Sequence, residues 1–90
     1  FMYTQTRTVK SPEFDTIVTI DTVETSSTSS GWKIVGVQDV DLVSKKYLIV
    51  DWVSSYSYYD NYQGCNIKIV YSYITDGTVK SGTRTVKVHI

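Results

Sequence analysis

Acid-base and nucleophilic chemistry near neutral pH runs most often through histidine, and this chain of 90 residues has one, His89, just before its last residue. It falls on the strand face opposite Val88 and Ile90, which reads as an exposed position or a tag remnant rather than a catalytic base. A carboxylate pair fares no better. Glu13 and Glu24 bracket one extended segment and stand roughly 35 Å apart at the rise of a strand, too far to share a glycosidic bond. The chain holds no G-x-S-x-G, H-E-x-x-H, P-loop or dinucleotide fingerprint. Its single cysteine, Cys65, has no partner for an internal disulfide and reads as a small core residue beside Val88. The expectation is a protein that is not an enzyme and takes no cofactor.

Binding chemistry is better represented. Asp39, Asp41 and Asp51 would share one face if the segments 32–43 and 47–58 paired through a short loop, with Asp39 opposite Asp51. Like charges so opposed need neutralising, by a nearby lysine or by calcium, unless the register itself is different; no EF-hand loop favours the ion. The segment from Ser54 to Gly64 carries Tyr56, Tyr58, Tyr59 and Tyr62 among serine, asparagine and aspartate. Rigid amphipathic rings among small polar groups are the chemistry of a recognition surface. Three readings stand: sugar rings stacked on the tyrosines, contact with a partner protein, or rings that cap one end of a core. Nine basic residues balance nine acidic ones, with no run beyond Lys45-Lys46, so the electrostatic footprint of a nucleic-acid binder is missing.

These side chains must be positioned by strands. Val, Ile, Thr and Tyr supply 13, 8, 12 and 8 residues, against 2 Leu and no Ala, so the strongest helix formers are nearly absent. Ninety residues make one domain, divided here into an N-terminal edge strand or arm, 1–11, and a β-sandwich, 12–90. Ser11-Pro12 ends the first strand because proline cannot donate to a ladder. A second strand over 14–24 and a polar loop over 25–31 follow, the loop being the one stretch that could pass for a linker. A three-residue turn at 44–46 would make a hairpin that pairs Val43 with Tyr47 and Val40 with Val50, although no Gly or Asn occupies it and the loop could be longer. The clearest turn is Thr75-Asp76-Gly77-Thr78, a type I′ candidate that places Tyr71 over Gly82 and Cys65 opposite Val88. A second turn at Ser81-Gly82 would instead shift that register by one and turn Val86 and Val88 outward.

The expected inward set is Phe14, Val18, Ile20, Trp32, Ile34, Val40, Leu42, Leu48, Val50, Trp52, Cys65, Ile67, Ile69, Val86, Val88 and Ile90. Opposite it, Val35, Val37, Val43, Tyr47, Ile49 and Val53 would form a contiguous apolar outer face. With the edge residues Tyr3, Gln5 and Arg7, that face reads as an assembly interface. No apolar run approaches the roughly 18 to 20 residues that span a bilayer, so membrane insertion is not expected. A start at Phe1-Met2 is expected of a processed chain or a piece of a longer one.

A tryptophan within the strand Leu48-Ile49-Val50-Asp51-Trp52, and a later strand Ile67 to Tyr73, resemble the immunoglobulin-like and fibronectin-type group. The resemblance implies an all-β antiparallel sandwich of six to seven strands, without the Cys-Trp-Cys framework of antibody domains. The chain's Thr/Ser/Tyr/Val-rich, Ala-free style is similar to that of surface-layer, pilus-type and phage structural modules. The reading is a non-catalytic structural or adhesive subunit of an extracellular, cell-surface or virion assembly, a homo-oligomer or a partner of other structural proteins. The second reading is a carbohydrate-binding module that uses Tyr56 to Tyr62.

Overall fold

A computed structural model describes residues 1–90 and contains six strands and no helix: β1 (Met2–Lys10), β2 (Asp15–Glu24), β3 (Trp32–Val43), β4 (Leu48–Tyr59), β5 (Gly64–Thr75) and β6 (Thr78–His89). They form two antiparallel three-stranded sheets, β1-β2-β3 and β4-β5-β6, each a run of consecutive strands. The chain passes between sheets once, at residues 44–47, and the two sheets bury their inner faces against each other. No helix is long and apolar enough to cross a membrane.

The Asp76-Gly77 turn behaves as its residues dictate. Both take positive φ, 51° and 70°, as a type I′ turn requires. It sets the whole β5–β6 ladder, pairing Tyr71 with Gly82, Ile67 with Val86 and Cys65 with Val88, so Ser81-Gly82 makes no second turn. A Cβ on Gly82 would lie 2.4 Å from the Tyr71 ring, so the ring fills the space that glycine leaves.

The expected pairing of 32–43 with 47–58 is corrected. β3 pairs with β2 and β4 with β5, so Val40 faces Val18 rather than Val50, and Asp39 faces Thr19 rather than Asp51. A turn without Gly or Asn offers little to close a tight hairpin; here Ser44 alone takes positive φ, 51°, and the chain crosses to the other sheet.

Three bulges correct the face assignments. β3 carries extra residues at Val35 and Gln38, and β4 at Val50, each of which reverses the alternation beyond it. Val37 and Ile49, expected outside, therefore pack partly buried against the core. Leu48 and Val50, expected inside, are 65% and 50% exposed. The core itself is Phe14, Val18, Ile20, Ile34 and Leu42 from the first sheet and its loop, against Cys65, Ile67, Ile69, Tyr71, Val86 and Val88 from the second. Val40, Trp52 and Ile90 pack around it, and Trp32 is half-buried.

Six strands running alternately up and down bring both chain ends to one pole, with the loops 25–31 and 60–63; the connections 11–14, 44–47 and 76–77 lie at the other. Long strands in narrow sheets make a rod of 53 × 18 × 18 Å.

Candidate functional site

Tyr56 and Tyr58 project from β4 on its inner side, opposite Ile67 and Cys65 of β5. Being at the sheet edge, they look across the gap toward β3. Tyr62 reaches the same gap from the turn 60–62, whose three residues all take positive φ, 54°, 53° and 64°. Left-handed backbone is costly for a tyrosine and less so for aspartate and asparagine, and a run of three persists only where surrounding bonds over-determine it. Those bonds are present. The Gln63 backbone N–H and its Nε2 both donate to Asp60 O, at 3.1 and 3.0 Å. Gln63 Oε1, buried, accepts from Ser29 Oγ and Ser30 N at 3.2 and 2.9 Å. Asn61 Nδ2 donates to Ser27 O at 3.1 Å, and the Ile34 N–H donates to Tyr62 O at 2.7 Å. The polar loop 25–31 thus serves as the buttress that fixes Tyr62 over the bulged edge of β3.

The result is a cleft between the β3 and β4 edges, divided in two. One part, about 230 Å³, is lined by Lys33, Ile34, Val35, Tyr58 and Tyr62. The next, about 280 Å³, is lined by Val37, Gln38, Asp39, Val40, Ser54 and Tyr56. The ring centroids of Tyr56 and Tyr58 are 5.7 Å apart and those of Tyr58 and Tyr62 5.0 Å, tilted rather than stacked. Tyr58 packs on the core, while Tyr56 and Tyr62 keep about half their surface, 52% and 51%, open. Burial, with Tyr56 alongside, pushes the Tyr58 phenol up, so its ring is uncharged at neutral pH.

Tyr59 does not join them. It points to the opposite face of its sheet, over Gly64, with the Lys87 ammonium 5.2 Å from its ring. There His89 Nε2 meets Asp60 Oδ2 at 2.8 Å, a hydrogen bond that raises the imidazole's pKa. The three aspartates do not converge either: Asp39 and Asp41 line β3, Asp51 lies on β4 in the other sheet, and no group of three metal-ligating side chains forms.

The expected assembly residues are dispersed. Tyr3 packs edge-on against Trp32, Gln5 Nε2 donates to Thr22 Oγ1 at 3.0 Å, and Arg7 donates to Gln5 Oε1 at 2.8 Å, all along the edge strand β1. Val35 lies in the cleft, and Tyr47 stacks on Tyr73 at 4.7 Å. Val53 belongs to a different apolar face, the outer side of β4-β5-β6, with Leu48, Val50, Val70, Ile74 and Val79.

One charged cluster went unread in the sequence. Glu13 accepts from Arg84 Nε and Nη2 at 2.7 and 2.9 Å and from the Tyr71 hydroxyl at 3.1 Å. Arg84 holds the Glu13 carboxyl below its ordinary value, which makes it a fixed anion pinning the two sheets rather than a proton acceptor near neutral pH. The signal was Arg84 opposite Ile69, a cation on an inward face that needed a partner. Comparison of the chain with known protein families, with curated proteins and with solved structures returned no match.

Proposed function

We propose that this chain is a non-catalytic structural module that works by self-contact, a repeating subunit of an extracellular or virion-surface assembly. The observation that carries the reading is the outer face of β4-β5-β6. Leu48, Ile74 and Val79 form one row across three strands and Val53 and Val70 another, with Val50 between. Val53, Val70 and Val79 are 63%, 41% and 64% exposed, so six apolar side chains stand wet on this face, in two rows that flank the polar row Asp51, Ser72 and Ser81 and are bridged by Val50.

Strand and rise spacings give that patch roughly 300 Å². A stable specific interface buries about 800 Å² on each partner, so one such contact is weak and gains strength only when repeated. A many-copy assembly suits it better than an isolated pair. The edges agree: bulges interrupt β3 and β4, whereas β1 and β6, neighbours across the other side of the rod, are regular and offer unpaired ladder groups for further contacts. The immunoglobulin-like resemblance supports the reading as architecture alone, since that group interleaves its strands between sheets and this chain does not. The extracellular setting rests on the composition.

Sedimentation across a rising concentration series tests the proposal. The chain is expected to self-associate, and the double variant Val53→Lys/Val70→Glu, an opposite-charge pair at two exposed and directly opposed positions, to remain monomeric. A chain that stays monomeric to its solubility limit, or a variant that associates unchanged, overturns it.

A further inference from the structure

We propose that the cleft between β3 and β4 binds a short neutral oligosaccharide, with Tyr56 and Tyr62 as stacking faces and Asp39, Gln38 and Ser54 as partners for its hydroxyls. Each half of the cleft, about 230 and 280 Å³, lies below the roughly 300 to 1,000 Å³ of a drug-sized site, so each holds one ring-sized group. The halves lie in line along the seam, from Ile34 and Val35 to Val37 and Gln38 on one wall and from Tyr58 to Tyr56 on the other. A ligand that fills both is a chain of rings.

The chemistry of the walls selects the class. A pyranose has an apolar C–H face and a rim of hydroxyls, and the cleft offers both complements. The half-open rings of Tyr56 and Tyr62 provide π faces, while Gln38, Asp39 and Ser54 are exposed polar groups on the same rim. An extended peptide is served less well. It would bind by adding a strand, and the bulges at Val35, Gln38 and Val50 break the regular ladder on both walls.

Construction gives a second, independent reason. Three consecutive left-handed residues, one of them tyrosine, are held by Gln63, the 25–31 loop and the Ile34 N–H, with the effect of fixing the Tyr62 ring at the cleft's end. A merely covering ring needs no such backbone. Strain maintained by so many bonds is a mark of positions where geometry matters. A site rigid before the ligand arrives loses little entropy on binding.

The test is titration of the ¹⁵N-labelled chain with six soluble probes: cello-, malto-, laminari-, chito-, manno- and xylo-hexaose. At least one should shift the amides of residues 33–40 and 54–62 saturably. Tyr56→Ala and Tyr62→Ala should each weaken that binding by at least about tenfold, and Asp39→Asn by less, with the thermal midpoint preserved. Tyr59→Ala, on the opposite face, should leave it unchanged. No saturable binding by any of the six overturns the proposal. So does binding that Tyr59→Ala weakens as much as Tyr56→Ala, or a proline-rich peptide that shifts these amides when no sugar does. The apolar outer face lies elsewhere on the rod, so the outcome is independent of self-association.

Discussion

Glu13 stands in a connection rather than a strand, yet it joins the two layers: its carboxylate takes two hydrogen bonds from Arg84 of β6 and one from Tyr71 of β5. Its pKa is depressed below the ordinary 4.5, first by the Arg84 hydrogen bonds. A depressed carboxyl contributes stability that is present above the unfolded-state value and is lost as pH falls through the folded-state one. Glu13→Gln should therefore cost about 1 to 2 kcal/mol near neutral pH, a charge-assisted bond reduced by its partial exposure to water. That deficit should close as the pH drops below about 4.5. Urea midpoints of both proteins at pH 7 and pH 3 check it. An equal deficit at both pH values would mean that Glu13 acts through packing and not through charge.

Among the elements, the β5–β6 hairpin is the best determined locally, because the residues that make its turn are the ones the turn geometry demands. Gly77 has φ of 70° with nothing within 4 Å of a would-be Cβ, so space is not the constraint there and backbone conformation is. Gly77→Val should destabilise by about 1 to 3 kcal/mol through strain alone. Chemical denaturation reads it directly, and an unchanged midpoint would rule out a type I′ turn. The β3 and β4 elements show the reverse case. Their apolar residues were visible, but each bulge adds one residue to one strand of a pair, and nothing in Val35, Gln38 or Val50 announces it. The consequence reached the candidate site, because those bulges move Val37 and Ile49 to the core and leave Val50 on the outer face.

For the whole molecule, six long strands in sheets three strands wide fix an elongated shape. The radius of gyration is 14.9 Å, against about 12 Å for a compact domain of this length. Small-angle scattering at low concentration should give a prolate particle near the larger value, rising with concentration as copies associate. A value near 12 Å would contradict the rod.

The sequence by itself determined the all-β class, the β5–β6 turn and its ladder, the Tyr71 ring over Gly82, and most of the core, including Phe14, Val18, Ile20, Ile34 and Leu42. These are consequences of residue type and of period two, which act between near neighbours. Of the tyrosine group, the gathering of Tyr56, Tyr58 and Tyr62 was legible from proximity in the chain, while the departure of Tyr59 follows from alternation along β4, a cue that the clustering obscured. Tertiary structure alone decided which strand pairs with β3, since a strand's edge is chemically indifferent to its partner and the choice between β2 and β4 lies in how two sheets close one core. That choice separated Asp39 from Asp51, brought Glu13 to Arg84 across 71 positions of chain, and opened the tyrosine-lined cleft between two strands that the sequence suggested would be joined.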